Sequence, residues 1–529
     1  MQNHPGGDHL SWGDSLFLYL EREGMPLNVA SVSVLEGEIP FATYLRFVES
    51  KLPLIPRYLK RVVAPPFNIG LPRWDYDPTF DIRNHVHQVT LKRGSDAELK
   101  ALAGKILSKV MDRQHPLWDL TLVRGLKGHR TGLIARMHHC LADGIAAVGI
   151  MSQLMDTSPA APRLPKKKRP FRVPPPRGAQ SSLVDGLTNS YSNFVERLLS
   201  AWSDVLNIAE RSVADVGNPP TDEFSRLLPE LTASTERLGF NVLYRGPQKF
   251  AWAEIPLAEV KTIRQNCGTS VNDVLLALVT ATIRRYSELH GQRVKGRLLR
   301  MMVPVNMRGN NSAGELGNRI SLVPVTIPLD IRHPKKLLAA VHTRTEFLKR
   351  SHAAELVSLA GGLIGILPSS MQAVTGPMIS RLHFTPFNMV CTSVPGPQTP
   401  LYVLGHKMLH WYPYVPIGGE MAINCAILSY NGMVYFGFSG DAHVAPDLGR
   451  LEKFLKFSFM ELREAAGARP PQEKKKSTQP KTPAVSKAAP AQTTVRVSIP
   501  LLGPRPLAKP ARAPDPRVKP EKILSQMIA

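Results

Sequence analysis

The amino-acid sequence predicts a mixed α/β fold arranged in two domains. A chain of 529 residues is longer than one hydrophobic core usually supports, so two domains are expected. Strand and helix patterns alternate over residues 1–156 and again over residues 231–466. Residues 157–230 predict a basic, proline-rich linker followed by a crossover helix, and residues 467–529 have the composition of a disordered tail.

Four patterns define the predicted N-terminal domain. NVASVSVLEG (28–37) alternates with period two and predicts a strand, whereas DAELKALAGKILSKVMD (96–112) has apolar residues at helical spacing. LTLVRGLKGHRTGLIARMHH (120–139) predicts two strands joined by a glycine-containing turn, and GIAAVGIMSQLMD (144–156) predicts a helix. The residues between these last two segments therefore lie in a strand-to-helix loop, where functional groups are often found.

The predicted C-terminal domain contains the strongest helix pattern of the chain. In SVNDVLLALVTATIRRYSELHG (270–291), Ser270 is placed as the N-cap and Asp273 lies in the first turn. An amphipathic helix over 181–213 precedes this domain. Five strands and a closing helix are predicted in RLLRMMVPV, RISLVPVTI, NMVCTSV, MAINCAILSY, MVYFGFSG and DLGRLEKFLKFSFMELREAAG.

The net charge of +24 comes mostly from two proline-rich segments. Residues 157–180 carry seven basic residues and no acid, and residues 467–529 carry 13 basic residues against three acids. Such segments predict flexible basic arms rather than a shaped nucleic-acid groove. We therefore do not expect this protein to be a nucleic-acid binder. A salt-dependent affinity for nucleic acid that is lost with residues 467–529 would be a property of the tail.

Cysteine usage and hydropathy predict a cytoplasmic protein. The four cysteines are scattered and form no CxxC pair, which favours a reduced protein over a disulfide scaffold. No apolar run is long enough to predict a transmembrane helix, and charges interrupt the first 22 residues, unlike a usual secretory signal peptide.

The stretch LIARMHHCLADGIAAVGI (133–150) places two adjacent histidines, His138 and His139, at the end of an apolar strand. The HExxH spacing of a zinc site is missing, GFSGD (437–441) is one residue short of a serine-hydrolase elbow, and no phosphate-binding glycine loop occurs. We therefore expect no metal. A lone histidine acting as general base remains, because imidazole titrates near neutrality. The alternative is that both histidines are hydrogen-bonded core residues.

The heptapeptide HHCLADG (138–144) resembles the HHxxxDG signature of the CoA-dependent acyltransferase superfamily. Over about residues 9–465, further segments resemble those of the bacterial wax ester synthase/diacylglycerol acyltransferases, in the same order. The resemblance implies two chloramphenicol-acetyltransferase-like domains with an active-site tunnel between them. The segments are LSWGDSLFLYLE (10–21), HPLWDLTLVRGL (115–126), SVNDVLLALV (270–279), VPVNMRG (303–309), LGNRISLVPVTIP (316–328), VPGPQTPLYVLG (394–405) and LSYNGMVYFGFSGD (428–441).

The resemblance assigns roles to the residues of the histidine segment. His139, the second histidine, would be the general base, and His138 would be its packing partner. Asp143 would hold the loop by pairing with an arginine. Gly144 would keep the substrate channel open, and as a glycine it would also permit a tight turn into the helix.

Two further pairs of residues follow from the resemblance. Asn272 and Asp273 match the family's ND motif at a helix start, where they would either shape the site or cap the helix. Thr392 and Ser393 stand where the family usually has Ser-Asn before VPGP. If an oxyanion or substrate contact is made there, hydroxyl groups would have to supply it.

The activity implied is transfer of an acyl group from acyl-CoA, a co-substrate rather than a bound cofactor, to a fatty alcohol or diacylglycerol. The alternatives are a related acyltransferase with another hydroxyl acceptor and a non-catalytic lipid-inclusion or membrane-binding homologue. Because the substrates are poorly soluble, we expect peripheral association with the inner membrane or lipid inclusions. The basic arms and the apolar segments 181–213 and 356–371 would provide the attachment.

Overall fold

The structure, a computed structural model, describes residues 9–68, 70–160, 235–306, 320–350, 371 and 387–468. Its helices are α1 (Trp12–Leu20), α2 (Phe41–Lys51), α3 (Asp96–Leu107), α4 (Gly144–Gln153), α5 (Leu257–Cys267), α6 (Val271–Leu289), α7 (Pro334–Arg350) and α8 (Arg450–Ala465). Its strands are β1 (Asn28–Glu36), β2 (Lys60–Val63), β3 (Arg73–Tyr76), β4 (Val86–Thr90), β5 (Trp118–Leu126), β6 (Arg130–His138), β7 (Gln248–Pro256), β8 (Leu298–Asn306), β9 (Ile320–Pro328), β10 (Met389–Pro395), β11 (Tyr402–Val403), β12 (His406–Tyr414), β13 (Ile423–Tyr430) and β14 (Met433–Asp441).

Two six-stranded sheets organise the described residues. The first has the order β11-β12-β1-β6-β5-β4 and the second the order β7-β14-β13-β10-β8-β9. Neighbours are antiparallel except for β4 with β5 in the first sheet and for β10 with both of its neighbours in the second. These mixed sheets with their helices confirm the predicted α/β fold class.

Each sheet lies against a hydrophobic core of its own, yet the two halves of the chain are interleaved. The strands β11 and β12 come late in the sequence but extend the first sheet by pairing through β1. Four aromatic residues of the second sheet pack into the first core: Phe250, Trp252, Tyr430 and Tyr435. The C-terminal half of the chain therefore contributes both backbone and side chains to the N-terminal sheet.

The crossing of β12 over β14 explains one glycine in the second sheet. A Cβ added at Gly437 would overlap the carbonyl oxygen of Pro413, so only a glycine lets the two strands approach. On either side of this point, the Tyr435 hydroxyl donates to the Leu409 carbonyl at 3.1 Å and the Ser439 hydroxyl donates to the Val415 carbonyl at 2.6 Å. The crossing is thus held by hydrogen bonds on both flanks.

Most predicted elements form, with differences at their ends and faces. The helix predicted over 96–112 ends at Leu107, and the strand predicted over 28–37 is buried on both faces rather than on one. The helix predicted over 181–213 and the tail lie outside the described residues, as does the segment 356–371 except for Met371. Among the described helices, none is long and apolar enough to cross a membrane.

Candidate active site at the paired histidines

The paired histidines lie at the junction of a strand and a helix, as predicted. His138 is the last residue of β6, His139 occupies the turn that follows, and α4 begins at Gly144. Both backbone amides are held: His138 N–H donates to the Leu117 carbonyl at 3.0 Å and His139 N–H donates to the Leu27 carbonyl at 2.9 Å. The turn is therefore fixed from two sides by the residues that precede β5 and β1.

His138 is fully buried and has a defined neutral tautomer. The Cys140 backbone N–H donates to its Nδ1 at 3.1 Å, so Nδ1 is an acceptor and the proton lies on Nε2. Nε2 is 3.4 Å from the Glu21 carboxylate, a contact longer than an ordinary hydrogen bond. His138 therefore orients the loop and is closed off from substrate.

Glu21, at the C-terminal end of α1, links this histidine to a buried ionic network. Its carboxylate accepts the Leu27 N–H at 3.0 Å and Arg113 Nη2 at 3.1 Å, and Arg113 also donates to the Leu18 carbonyl at 2.7 Å. Burial opposes ionisation of Glu21, but His138, the Leu27 N–H and the Arg113 charge outweigh it and lower its pKa. The carboxylate thus stays charged and ties α1 to the histidine turn.

His139 is partly buried and stacks on Phe17 of α1, with ring centroids 3.9 Å apart and an angle of 10° between the planes. The pKa of His139 is lowered from 6.5 to about 4: burial is the largest cause, a backbone hydrogen bond opposes the shift, and the neighbouring His138 adds to it. The imidazole is therefore neutral near pH 7, which is the state that a general base requires.

Asp143 and Gly144 shape the end of the histidine loop. Asp143 is buried and caps α4, its Oδ1 accepting the Ala146 N–H at 2.7 Å, whereas its pairing with an arginine stays a prediction. Gly144 is the first residue of α4 and its φ lies outside the left-handed region, and the roles predicted for it in the turn and in the substrate channel stay predictions. A Cβ there would lie 3.1 Å from the Val394 side chain, so the glycine lets α4 approach β10.

Two hydroxyl-bearing residues of β10 lie next to the contact between α4 and β10. Thr392 and Ser393 are both partly buried and immediately precede Val394. Because side chains alternate along a strand, Thr392 shares a face with Val394 and Ser393 lies on the other. Thr392 is therefore on the face of β10 that meets the start of α4.

The ND pair is built into a helix–helix contact. The Ser270 hydroxyl accepts the Asp273 N–H at 3.1 Å, and the Asp273 carboxylate accepts the Ser270 N–H at 2.8 Å, forming a capping box for α6. The same carboxylate bonds Thr345 at 2.6 Å and His342 at 2.9 Å on α7. These contacts give Asp273 the capping role. Asn272 is partly buried, and its side chain has no hydrogen bond to any described residue.

Two family profiles match this chain. The wax ester synthase/diacylglycerol acyltransferase catalytic domain matches residues 10–275, and the corresponding C-terminal domain matches residues 316–463. The chain belongs to this family. It is an O-acyltransferase, as the motifs predicted. No three His, Cys, Asp or Glu side chains in the described part of this acyltransferase lie close enough to hold a metal ion.

The chain is similar to curated relatives and to solved structures over most of its length. The probable diacylglycerol O-acyltransferases tgs1 and tgs2 of Mycobacterium tuberculosis are 27% and 28% identical to the chain, covering 85% and 86% of it and 94% and 98% of their own lengths. The wax ester synthase/diacylglycerol acyltransferase of Marinobacter aquaeolei VT8 covers 87% of the chain and 100% of its own, with a TM-score of 0.60 and 22% identity. The first condensation domain of the calcium-dependent antibiotic synthetase matches with a TM-score of 0.53 and 14% identity, covering 88% and 98%. The two structures show the same fold.

Sequence reasoning missed three residues that contact the histidines or their network: Phe17, Glu21 and Arg113. Phe17 and Glu21 lie in the LSWGDSLFLYLE segment, which was noted only for its resemblance. An acidic residue at the end of an apolar helix was the available signal for Glu21. Nothing in the sequence indicated that Arg113, 92 positions away, would pair with it.

Proposed function

We propose that the protein transfers a fatty acyl group from acyl-CoA to the hydroxyl of a long-chain alcohol or diacylglycerol, with His139 as general base. The observation that carries this assignment is the partly buried His139 ring, whose lowered pKa keeps it neutral and ready to accept a proton. His138, in contrast, is fully buried against Glu21. The products are wax esters or triacylglycerol.

In the proposed reaction, His139 takes the hydroxyl proton as the alcohol oxygen attacks the thioester carbonyl. The tetrahedral intermediate then collapses, the carbon–sulfur bond breaks, and the proton passes from His139 to the departing CoA thiolate. No acyl-enzyme is needed because a thioester is already activated. The Thr392 hydroxyl is the donor that we propose for the developing oxyanion, since it faces the start of α4.

The surroundings of His139 support this role by holding it rigidly. The two backbone bonds of the turn, the stacked Phe17 ring and the Glu21 contact of His138 all restrict where the imidazole can move. A preorganised base avoids the cost of reorganisation during each turnover. The approach of α4 to β10 brings the two sheets together beside the histidine turn, where we place the meeting point of the two substrates.

We also propose that the enzyme works at a lipid surface. The support is the chemistry of its substrates and the charge of the segments 157–180 and 467–529. Each Lys or Arg near an anionic membrane contributes about 1 kcal/mol. Pelleting with anionic and neutral vesicles at rising salt tests this: binding that depends neither on anionic lipid nor on salt contradicts it.

The enzyme activity is tested by CoA release from palmitoyl-CoA with hexadecanol or diacylglycerol as acceptor. We expect acceptor-dependent release, and His139→Ala should lower turnover by about 10² to 10⁴-fold, the usual contribution of a general base. His129→Ala is the matched control, because the His129 side chain is 93% exposed, and its activity should be that of the unsubstituted enzyme.

Each outcome separates one part of the proposal. Full activity in His139→Ala removes the base assignment while leaving acyl transfer in place. Release with neither acceptor, in protein that is folded, contradicts both proposed substrates and favours another hydroxyl acceptor or a non-catalytic homologue. The acceptor with the larger kcat/KM identifies the main product.

A further inference from the structure

A cleft of about 490 Å³ lies in the C-terminal half of the chain, among elements that the proposed reaction does not use. It is bounded by the C-terminal ends of α6 and α8 and by the start of α7. Its volume is within the range of about 300 to 1,000 Å³ that is typical of small-molecule sites. Six of its lining residues are charged: Arg284, Arg285, Arg332, Glu288, Glu461 and Glu464.

Two of the three arginines already have carboxylate partners. Arg285 on α6 pairs with Glu461 on α8. Arg332, just before α7, pairs with Glu288 on α6 at 2.8 Å. These two pairs bridge the three elements at the walls of the cleft and leave one guanidinium and one carboxylate, that of Glu464, outside the pairs.

Arg284 carries the guanidinium that lies outside the pairs. It is only 5% exposed, its Nε is buried without a hydrogen-bond partner, and its guanidinium forms no salt bridge or hydrogen bond with any described residue. Burial lowers the pKa of Arg284, and the nearby Glu288 charge opposes that shift without contacting the group. An ion buried without a partner is costly, so an anion in the cleft would relieve a penalty that the folded chain carries.

The other features of the cleft indicate which anion fits. The planar fork of an arginine matches phosphate oxygens with two parallel hydrogen bonds. Pro334, the first residue of α7, also lines the cleft, so the N-terminal end of a 17-residue helix contributes positive partial charge. A phosphate dianion can interact with both Arg284 and this helix end, whereas a carboxylate carries a single charge.

We propose that this cleft binds a phosphate group, either free phosphate or the phosphoryl group of a small ester, with Arg284 as its main ligand. Arg332 and the start of α7 complete the site. This binding is independent of acyl transfer at His139, because none of these residues belongs to the histidine loop.

The test is calorimetric titration of the full-length protein with inorganic phosphate and with glycerol phosphate, at constant ionic strength. We expect saturable binding that Arg284→Met weakens by about ten- to a hundredfold, the loss that follows from removing hydrogen bonds to a charged group. Arg450→Met is the matched control, because Arg450 is an exposed residue of α8 outside the cleft, and it should leave the affinity unchanged. Tighter binding of the ester identifies the ester as the source, and tighter binding of inorganic phosphate identifies free phosphate.

Thermal unfolding provides a second measurement. Without phosphate, Arg284→Met should unfold at the same or a higher temperature than the unsubstituted protein, since it removes an unpaired buried charge. Phosphate should then raise the unfolding temperature of the unsubstituted protein more than that of the variant. Glu464→Gln should strengthen phosphate binding by removing a competing carboxylate from the cleft.

Four results overturn the proposal. Equal phosphate affinity in Arg284→Met places the binding elsewhere, for example in the basic segments. If acetate binds as tightly as phosphate, the cleft recognises carboxylates as well and is not a phosphate site. If Arg284→Met unfolds at a lower temperature than the unsubstituted protein, both with and without phosphate, then Arg284 has a structural role instead. A destabilised Glu464→Gln variant shows that Glu464 is the partner of Arg284 in solution.

Discussion

At the scale of single residues, the ionisation of His139 depends on what covers its ring. Phe17 stacks on one face and excludes water, and burial is the largest cause of the lowered pKa. A base with a pKa of about 4 is almost wholly neutral above pH 5. The structure therefore distinguishes a fully buried histidine, His138, from a partly accessible one, His139, which is the base that we propose.

This difference predicts the pH dependence of the reaction. The acidic limb of kcat/KM should lie near pH 4, because protonation of His139 removes the base only as the pH falls through its pKa. Phe17→Ala should admit water and move this limb upward, towards the ordinary histidine value of about 6.5. A profile that runs from below pH 4 to pH 8 measures both limbs, with Phe457→Ala on the exposed surface of α8 as the control. A limb near pH 6.5 in the unsubstituted enzyme contradicts the prediction.

Glu21 gives a prediction about stability. Glu21→Ala leaves the His138 Nε2 proton facing no acceptor and Arg113 without its buried partner. We expect a loss of about 2 kcal/mol in the free energy of unfolding, the cost of an unsatisfied buried group. Urea unfolding of this variant beside Glu23→Ala, an exposed neighbour that should change by less than about 0.5 kcal/mol, provides the comparison. Equal stabilities of the two variants contradict the role given to Glu21.

How much of this site the sequence predicts depends on how local each contact is. The pairing of His138 and His139 at a strand end and the helix that follows them are read from neighbouring residues, whereas the cap that Asp143 forms on this helix was not predicted. The Glu21–Arg113 pair joins positions 92 residues apart, and no local pattern specifies it. Spacing also gives no sign that Gly144 lies against the side chain of Val394, which belongs to a distant strand.

At the scale of helices and strands, α6 shows why some elements are predicted well. Its N-cap, capping box and apolar face are all encoded within 270–291. The strands β11 and β12 were not predicted, because the sheet that a strand joins is decided by partners elsewhere in the chain. Period-two alternation in β1 likewise failed to show that both of its faces are covered.

Asp273 allows the two roles of the ND motif to be separated. Asp273→Ala loses the capping box and the bonds to Thr345 and His342, so we expect about 2 to 3 kcal/mol of destabilisation. Ser270→Ala, which loses the cap alone, should cost about 1 kcal/mol. The kcat of the folded fraction should be unchanged in both variants. A large loss of kcat at unchanged stability would assign Asp273 to the reaction instead.

At the scale of the whole molecule, the two sheets meet where β12 of the first sheet crosses β14 of the second. β12 pairs with β1 in the first sheet while its backbone lies against β14 in the second. The start of α4 meets β10 in the same way, with Gly144 against Val394. The second contact brings the end of the histidine loop against the second sheet, so we expect substrate positioning at the proposed site to depend on how the sheets are joined.

Gly437→Ala tests the importance of this crossing. The added methyl group would overlap the Pro413 carbonyl oxygen, a backbone atom that cannot rotate away, so β12 must shift. Overpacking of this kind costs about 3 kcal/mol, and the shift should also lower kcat/KM in the protein that remains folded. Gly149→Ala in α4 is the control: nothing lies within 4 Å of an added Cβ, and alanine favours a helix by roughly 0.5 to 1 kcal/mol. Urea unfolding and CoA release measured on the two variants separate the effects. If Gly437→Ala is as stable and as active as Gly149→Ala, the crossing does not set the geometry at His139.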